Sequence, residues 1–442
     1  MSNNLPDEEP RVKVGILTAT RITAVLHGRY TDRLGRIYSG EITVRETADG
    51  LLASSVDVEP FAVLELVADA PDSSFEIKDV VIGVDFHWER REDQSFPGDL
   101  TFLREHGRLT AVNTVPVEDY LASVISSEMS ARAGDALLRA HAVISRSWLM
   151  AQILGRDADP VPQPVQSDDE RIRWYDRNDH EAFHVCADDH CQRYQGTGRQ
   201  TTPAVARAIE ATRGQVLLYD GRLCDARFSK CCGGVFEEFQ NCWEPVPHHY
   251  LGVRRDTPRE DDYPDLRQEL HARRWIMSAP EAFCNTADAD ILRQVLNNYD
   301  RETPDFYRWT VRYSGAELAS LIRRRSGIDF GAIRALVPLE RGTSGRIVRL
   351  RIEGSLRTMV IGKELEIRRT LSPSHLYSSA FVVETADPDA EGYPDSFTLR
   401  GAGWGHGVGL CQIGAAVMGA RGYAYEDILR HYFIDAEIKK LY

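Results

Sequence analysis

Towards its C-terminal end the chain has glycine at every second position, in Gly401-Ala-Gly-Trp-Gly-His-Gly-Val-Gly409. Alternate glycines leave one face of an extended segment without side chains and allow close backbone approach. Neither a GxGxxG register nor a GxxxxGK[ST] loop fits this spacing, so no nucleotide cofactor is predicted. A bare backbone beside Trp404 and His406 favours a sugar-binding surface, since an indole stacks on a pyranose ring. The alternative is a tightly packed strand or turn with a structural tryptophan.

The eight cysteines are unevenly distributed, because seven of them lie between Cys186 and Cys284 and the eighth is Cys411. A chain of 442 residues can bury a core without disulfides. Local clustering therefore predicts a metal site, a local disulfide group, or both.

Three histidines and two cysteines fall within the twelve residues from His180 to Cys191. Imidazole and thiolate are the ligands that zinc prefers, and two thiols with one histidine would leave one coordination position open. A disulfide and scattered surface histidines are the alternatives.

A second cysteine motif is Cys231-Cys232-Gly233-Gly234. Adjacent cysteines rarely bond to each other, so each could pair with another cysteine such as Cys224 or Cys242. The two glycines permit a positive φ or close backbone approach. A functional loop and a plain turn are equally compatible with this motif.

Pro116 predicts the first turn of a helix, with Glu118 and Asp119 where the helix dipole favours acids. The apolar stripe of this helix stops at a polar link over residues 126–130, and a second helix follows over 136–151. Glu128 stands at this interruption, where partial burial would suit a general acid. The alternative is that Glu128 belongs to a helix cap and that the other two acids are ordinary first-turn residues.

Acidic residues outnumber basic ones by 67 to 53, which gives a formal net charge of −14. This balance argues against nucleic acid as a partner and against docking on anionic lipid. No apolar run approaches the ~18 residues that span a bilayer, so no transmembrane segment is predicted. The first ten residues are acidic and polar, unlike a signal peptide. We therefore expect either an intracellular protein or an export signal outside this sequence.

Three segments together resemble the sporulation stage II protein D (SpoIID/LytB) family. The segment over 112–129 is similar to the family block that ends in E-x-Y-L-x-x-V-x-x-x-E-M, and the segment over 139–148 to K-A-Q-A-V-A-A-R-T-Y. The segment over 401–415 is similar to G-x-G-W-G-H-G-V-G-M-S-Q-x-G-A. The end of the chain, over 423–433, continues the match as Y-x-x-I-L-x-H-Y-Y, and all the motifs occur in the family's order.

The resemblance implies a peptidoglycan lytic transglycosylase, a lyase that forms 1,6-anhydroMurNAc ends and belongs in the cell envelope. Glu128 matches the catalytic acid, as a single general acid/base, and Arg146 matches an arginine that orients or balances it. The implied glycan-binding residues are Trp404, His406, Gly405, Gly407, Gln412, Gly233 and Gly234. The alternative is a non-catalytic peptidoglycan-binding amidase enhancer, whose partners would be cell-wall amidases. A third reading is a structural metal-binding envelope protein.

Some family members carry a Cys/His zinc site in the region of residues 186–191. The resemblance implies one zinc ion here, with Cys186 and Cys191 as ligands and His180 as the third, and His184 or His190 as substitutes. The sequence also departs from the motifs, because Cys411 replaces a serine after the glycines. The Cys-Cys-Gly-Gly motif likewise stands where many members have Ser-Ser-Gly-Gly, which leaves substrate details and metal use open.

The strand-like alternation near the start of the chain and the helices that follow predict an α+β fold. We expect a strand-rich domain over 1–110 and a SpoIID-like catalytic core over 111–255 and 311–442. The core would have a central helical segment that carries the catalytic glutamate, and a mixed α/β remainder that closes one glycan-binding cleft. Residues 256–310 are predicted to form a charged helical insertion or lobe.

Overall fold

The computed structural model describes residues 5–54, 60–83, 89–105, 107–130, 133–154, 164–174, 180–188, 190–198, 202–259, 262–295 and 305–442. The chain divides into two compact units. The first comprises residues 1–158, 178–225 and 438–442, and the second comprises 159–177 and 226–437. These units are a structural division, and the predicted domain boundaries stay a prediction.

The strands and helices are bounded as follows. The strands are β1 Arg11–Ala19, β2 Arg21–Thr31, β3 Ile37–Thr47, β4 Gly50–Ala53, β5 Val63–Ala68, β6 Ser74–Ile82, β7 Arg90–Pro97, β8 Asp99–Glu105, β9 Arg108–Pro116, β10 Val165–Gln166, β11 Glu170–Ile172, β12 Val185–Cys186, β13 Gln215–Tyr219, β14 Arg222–Leu223, β15 Phe228–Ser229, β16 Arg308–Ser314, β17 Ile333–Arg341, β18 Ile347–Gly354, β19 Thr358–Gly362, β20 Phe381–Pro388, β21 Pro394–Ala402, β22 Leu410–Cys411 and β23 Glu437–Lys440. The helices are α1 Val117–Glu128, α2 Asp135–Leu154, α3 Pro203–Ala211, α4 Glu269–Met277, α5 Ala289–Val295, α6 Gly315–Ser326, α7 Glu364–Thr370, α8 Gln412–Ala420 and α9 Tyr425–Tyr432, with 3₁₀ turns at Phe239–Asn241 and His249–Leu251. The predicted α+β class is confirmed.

The first unit is built on a ten-stranded sheet with the path β12-β1-β9-β8-β5-β2-β3-β4, to which β6 and β7 are attached through β2. In β1 the alternate residues Val12 and Val14 are fully buried, as the period-2 pattern predicts. The short strand β12 runs parallel to β1, with Cys186 opposite Gly15. The loop that carries the His180–Cys191 motif is therefore fixed to the edge of the sheet.

Helices α1 and α2 follow the last long strand of this sheet and pack on each other and on α3. The sequence predicts Pro116 in the first turn of this helix. In the structure Pro116 is the N-cap of α1, one residue before the first turn. The predicted polar link over 126–130 is corrected, because α1 continues through Ser126 and Ser127 to Glu128. Ser127 and Glu128 of this last turn are buried, so polar residues continue the buried face of α1 there.

The second unit contains the sheets β10-β11-β19-β18-β17 and β16-β21-β20 and the short parallel pair β15-β22. Helices α6 and α7 pack on the two larger sheets around buried residues such as Trp309, Leu350 and Phe381. In the parallel pair, Phe228 stands opposite Leu410 and Ser229 opposite Cys411. This pairing brings the Cys-Cys-Gly-Gly motif next to the glycine-rich segment. Among the described residues, no helix is long and apolar enough to cross a membrane.

Candidate functional site

Glu128 is the last residue of α1 and is 9% exposed. One carboxylate oxygen, Oε1, accepts a hydrogen bond of 3.2 Å from the backbone N–H of Arg193. The predicted partial burial of this carboxyl is therefore present in the structure. Its position depends on α1 and on the loop that carries Arg193.

The loop segment 192–195 contacts α1 along its length. Tyr120 donates to the side-chain oxygen of Gln192 at 3.3 Å, and its ring stacks on Tyr194 at 5.1 Å. The N–H of Gln195 donates to the hydroxyl of Ser123 at 3.1 Å. These contacts lie on successive turns of α1, so the loop fixes the helix that ends at Glu128.

Four side chains of the same loop converge, and we call them the Cys/His cluster: His180, Cys186, His190 and Cys191. Their ligand atoms all lie within 4.8 Å of one another. The Cys191 sulfur is 3.6 Å from His180 Nε2 and 3.5 Å from His190 Nδ1. A tetrahedral zinc ion would separate a thiolate and an imidazole nitrogen by about 3.6 Å. The cluster therefore has the dimensions of a four-coordinate zinc site.

Hydrogen bonding within the cluster favours thiolate. The neighbouring Cys191 thiol, together with His180 and His190, lowers the pKa of Cys186 to about 2, although burial opposes this shift. Thiolate is the form that binds a metal. Burial, followed by the charges of Cys191, Cys186, Tyr194 and Glu128, raises the pKa of Tyr120 well above its usual value.

The structure distinguishes between the two histidines named as substitutes. His190 belongs to the cluster, whereas His184 accepts a 3.1 Å hydrogen bond from the backbone N–H of Lys13 on β1. With His180 also present, four ligands rather than three converge, and such a set closes the position that three ligands would leave open. The sequence predicted His190 only as a substitute third ligand and gave no reason to expect it as a fourth ligand beside His180.

Arg146 forms an ion pair with Glu118, the acid in the first turn of α1. Its Nε donates to Oε1 at 2.9 Å and its Nη2 to Oε2 at 2.6 Å. Arg146 is fully buried and Glu118 is 5% exposed. Glu118 also accepts from the Tyr442 hydroxyl at 2.7 Å, and Arg146 Nη1 donates to the carbonyl of Gln215 at 2.9 Å. The role predicted for Arg146 beside Glu128 stays a prediction.

The alternate glycines of the second unit are required by the backbone. Positive φ values between +70° and +93° occur at Gly403, Gly405, Gly407 and Gly409. At Gly407 a Cβ would also lie 2.4 Å from the guanidinium of Arg346. That guanidinium is fully buried and donates to the carbonyl oxygens of Gly405 and Cys232. The glycine segment thus surrounds a buried cation, which the sequence pattern did not reveal.

Trp404 and His406 lie between these glycines and are both partly buried. The Trp404 ring stacks on Phe306 at 4.6 Å and lies 4.4 Å from the ring of Tyr377. His406 Nδ1 accepts from the N–H of Val408 at 3.0 Å. Burial, followed by the charges of nearby arginines, lowers the pKa of His406 well below its usual value. This histidine is therefore neutral at physiological pH.

The Cys-Cys-Gly-Gly motif forms a turn against the glycine segment. Cys231 and Trp404 exchange backbone hydrogen bonds of 3.0 and 2.8 Å. Gly233 and Gly234 have φ values of +84° and +107°, and a Cβ on Gly233 would lie 3.1 Å from the backbone nitrogen of Gly403. The structure therefore brings the predicted glycan-binding residues of the second unit together. The last of them, Gln412, is buried at the start of α8.

Two family models match separate parts of the chain. A family model described as Stage II sporulation protein (SpoIID) matches residues 105–219, which include Glu128, Arg146 and the Cys/His cluster. A second model, a domain of unknown function (DUF8618), matches residues 237–409. The first match covers the helical segment and the loop, and the second covers the glycine segment over 401–409.

Two similar proteins each align with about three quarters of the chain. Stage II sporulation protein D of Bacillus subtilis (strain 168) is 21% identical over 334 residues, which are 75% of this chain and 76% of that protein. An uncharacterized protein of Brachyspira hyodysenteriae is 24% identical over 341 residues, 77% of this chain and 71% of that protein. The amidase enhancer of B. subtilis is 25% identical over 241 residues, but these are 51% of this chain and 31% of the enhancer.

The family match and these relatives define the class as proteins with a cell-wall related function. More particularly, residues 105–219 match the stage II sporulation protein (SpoIID) family model, and stage II sporulation protein D of two Bacillus species is similar over 75% of the chain.

Proposed function

We propose that this protein is a peptidoglycan lytic transglycosylase that uses Glu128 as its single general acid/base. The observation that supports this most directly is the position of Glu128. It is a buried carboxylate at the end of α1, inside the SpoIID match, and the Arg193 N–H holds one of its oxygens at 3.2 Å. The other carboxylate oxygen is the one proposed to carry the proton.

The proposed reaction needs one carboxyl group. Glu128 donates its proton to the glycosidic oxygen as the bond from MurNAc C1 to GlcNAc breaks. The resulting carboxylate takes the proton of the MurNAc 6-hydroxyl, whose oxygen closes on C1. The product is a 1,6-anhydroMurNAc end, and no water is consumed. A hydrolase would need a second carboxylate to supply a nucleophile or to activate water.

Glycan binding is proposed for the glycine segment of the second unit. Trp404 keeps part of its surface exposed although Phe306 and Tyr377 hold its ring in place. A rigid, partly exposed indole is suited to stacking on a sugar ring. His406 is neutral, so it would contribute a hydrogen bond rather than a charge to a glycan.

We also propose that the Cys/His cluster holds one structural zinc ion. The donor set of two thiolates and two imidazoles is typical of closed zinc sites, and such an ion stabilises the fold around it. Cys191 is one residue before Gln192, where the contacts with α1 begin. The residues of the cluster would thereby fix the N–H of Arg193 against Glu128.

The proposed activity is tested by incubating purified protein with isolated glycan strands, both intact and stripped of stem peptides. Mass spectrometry of the products should show new anhydromuramic ends that increase with time. Binding is measured in parallel by sedimentation of the protein with insoluble peptidoglycan. Persistent binding without any anhydromuramic product would contradict the lyase.

The alternative function is a non-catalytic amidase enhancer, which the similarity to the B. subtilis protein of that name favours. Adding a cell-wall amidase to the same assay separates the two. An enhancer would increase release of stem peptides by the amidase and form no anhydromuramic ends. A lytic transglycosylase forms these ends whether or not the amidase is present.

Zinc binding by the Cys/His cluster gives a separate prediction. The Cys186→Ser, Cys191→Ser double variant should contain about one zinc ion per chain less than the parent protein, since it removes both thiolates. Elemental analysis of the purified proteins measures this difference. The matched control is Cys224→Ser, which removes a buried thiol of the same unit outside the cluster. Equal zinc content in the double variant and the parent would refute the site.

A further inference from the structure

A second group of metal-binding side chains lies in the second unit, and we call it the thiol–carboxylate cluster: Cys232, Asp256, Cys284 and Cys411. One ligand atom from each residue lies within 4.8 Å of all the others. None of the four side chains is more than 2% exposed. The residues come from segments that are up to 179 positions apart, and the fold alone brings them together.

The distances within this cluster suit a single four-coordinate ion. The sulfurs of Cys232 and Cys284 are 3.5 Å apart, and Cys232 Sγ is 3.5 Å from Asp256 Oδ2. Around a tetrahedral zinc ion, two thiolates would lie about 3.8 Å apart, and a thiolate and a carboxylate oxygen about 3.6 Å apart. An iron–sulfur cluster places several metal and sulfide atoms between its cysteines, so it needs wider separations than these.

Backbone hydrogen bonds already point at the sulfurs. The N–H of Cys232 donates to Cys411 Sγ at 3.3 Å, and the N–H of Gly234 donates to Cys232 Sγ at 3.4 Å. Cys411 is also the N-cap of α8, where the helix dipole favours negative charge. Such outer contacts orient the ligands of a metal and stabilise the charge of the thiolates.

Asp256 is held in the orientation that a ligand needs. Its Oδ1 accepts from the Tyr432 hydroxyl at 2.9 Å, while Oδ2 faces the sulfur of Cys232 and accepts from the Cys284 N–H at 3.0 Å. A Cβ on Gly414 of α8 would lie 2.7 Å from Oδ2, so glycine leaves room for this carboxylate. A fully buried carboxylate is costly unless a cation or hydrogen bonds compensate it.

The main chain of Asp256 links the segments of the cluster. Its N–H donates to the carbonyl of Gly234 at 3.0 Å, and its carbonyl accepts from the N–H of Phe283. These hydrogen bonds hold the turn that contains Cys232 next to the loop that contains Cys284.

A disulfide is the competing use of these cysteines. A bond between Cys232 and Cys284 would need their sulfurs to approach to about 2.05 Å and would leave Cys411 and a buried carboxylate beside it. The thiol of Cys231 also interacts with Cys284 and Cys411, but it is outside the set whose ligand atoms all converge. Four convergent donors favour a metal over a bond that uses two of them.

We propose that Cys232, Cys284, Cys411 and Asp256 bind one zinc-type divalent cation in a closed structural site, separate from the Cys/His cluster. The three thiolates select a soft or borderline metal such as zinc. The ion would join the Cys-Cys-Gly-Gly turn, the loop over 280–285 and the start of α8. It would thereby fix the turn that hydrogen-bonds to the glycine segment and the helix that follows that segment in the chain. The proposal is independent of the catalytic activity.

The test uses the full chain with Cys186→Ser and Cys191→Ser, which leaves the thiol–carboxylate cluster intact. Cobalt(II) is added to the reduced, metal-free protein. We expect about one cobalt per chain, with thiolate-to-metal charge-transfer absorption in the ultraviolet and the visible bands of a tetrahedral ion. Adding zinc should remove these bands. A chain that binds no cobalt would overturn the proposal.

Further variants in the same background identify the ligands. Cys284→Ser should lose the charge-transfer absorption of one thiolate, and Asp256→Asn should release the metal to a chelator at least about tenfold more readily. The control Cys242→Ser removes a buried thiol of the same unit and should leave the spectrum unchanged. Loss of metal in Cys231→Ser with retention in Asp256→Asn would overturn the assignment of Asp256. A Cys232–Cys284 disulfide in the protein as purified, found by peptide mapping without reductant, would overturn the metal site.

Discussion

Glu128→Gln should abolish the formation of anhydromuramic ends and leave glycan binding within about twofold of the parent protein. We expect the cleavage rate to fall by about 10²–10⁴-fold, the range that a positioned general acid or base contributes. The amide has the size of the carboxyl group, and its oxygen can still accept the N–H of Arg193. It cannot donate a proton to the glycosidic oxygen and then accept one. Mass spectrometry of digested strands measures the loss, and sedimentation measures binding.

The matched control is Asp119→Asn on the same helix. This variant makes the same change of an acid to an amide, but Asp119 is exposed in the first turn of α1. Its cleavage rate should stay within a few-fold of the parent. If Glu128→Gln still cuts glycan at the parental rate, Glu128 is not the acid. If both variants lose activity equally, the loss reflects net charge rather than the proton of Glu128.

The parts of the structure that follow from local pattern could be predicted from the sequence. The apolar spacing of α2 predicted this helix, because a buried stripe with a period of 3.6 residues has no other regular solution. The end of α1 could not be predicted in this way. Its last turn is stabilised by polar contacts with a loop that lies about 65 residues further along the chain, and periodicity carries no information about such contacts.

Some residues of the candidate sites could likewise be predicted from the sequence, and others could not. Cys186 and Cys191 were predictable because the thiols and histidines of that loop are close in sequence. Cys284 and Asp256 gave no comparable signal, since each is an isolated residue until the fold brings it to Cys232 and Cys411. The alternate glycines are evident in the sequence, but a sequence cannot show that positive φ values and the buried Arg346 require them.

The ion pair of Glu118 and Arg146 connects α1 to α2, and breaking it should strongly destabilise the first unit. Glu118→Ala leaves a fully buried guanidinium without its carboxylate. Removing one partner of a buried pair costs about 3–5 kcal/mol. We expect the free energy of opening of α2 to fall by that amount, because Arg146 lies in the middle of this helix. Hydrogen exchange of peptides from residues 135–154, followed by mass spectrometry, measures it.

An exposed ion pair provides the control for this experiment. Asp427→Ala removes the partner of Arg430 on α9, where both side chains are more than half exposed, and should change the free energy of unfolding by less than about 1 kcal/mol. The double variant Glu118→Leu, Arg146→Met should recover much of the loss, since apolar residues of similar size can replace a buried pair. If Glu118→Ala exchanges as slowly as the parent, the pair does not stabilise the packing of α1 on α2. If the double variant is as unstable as the single one, the cost comes from lost packing rather than from an uncompensated charge.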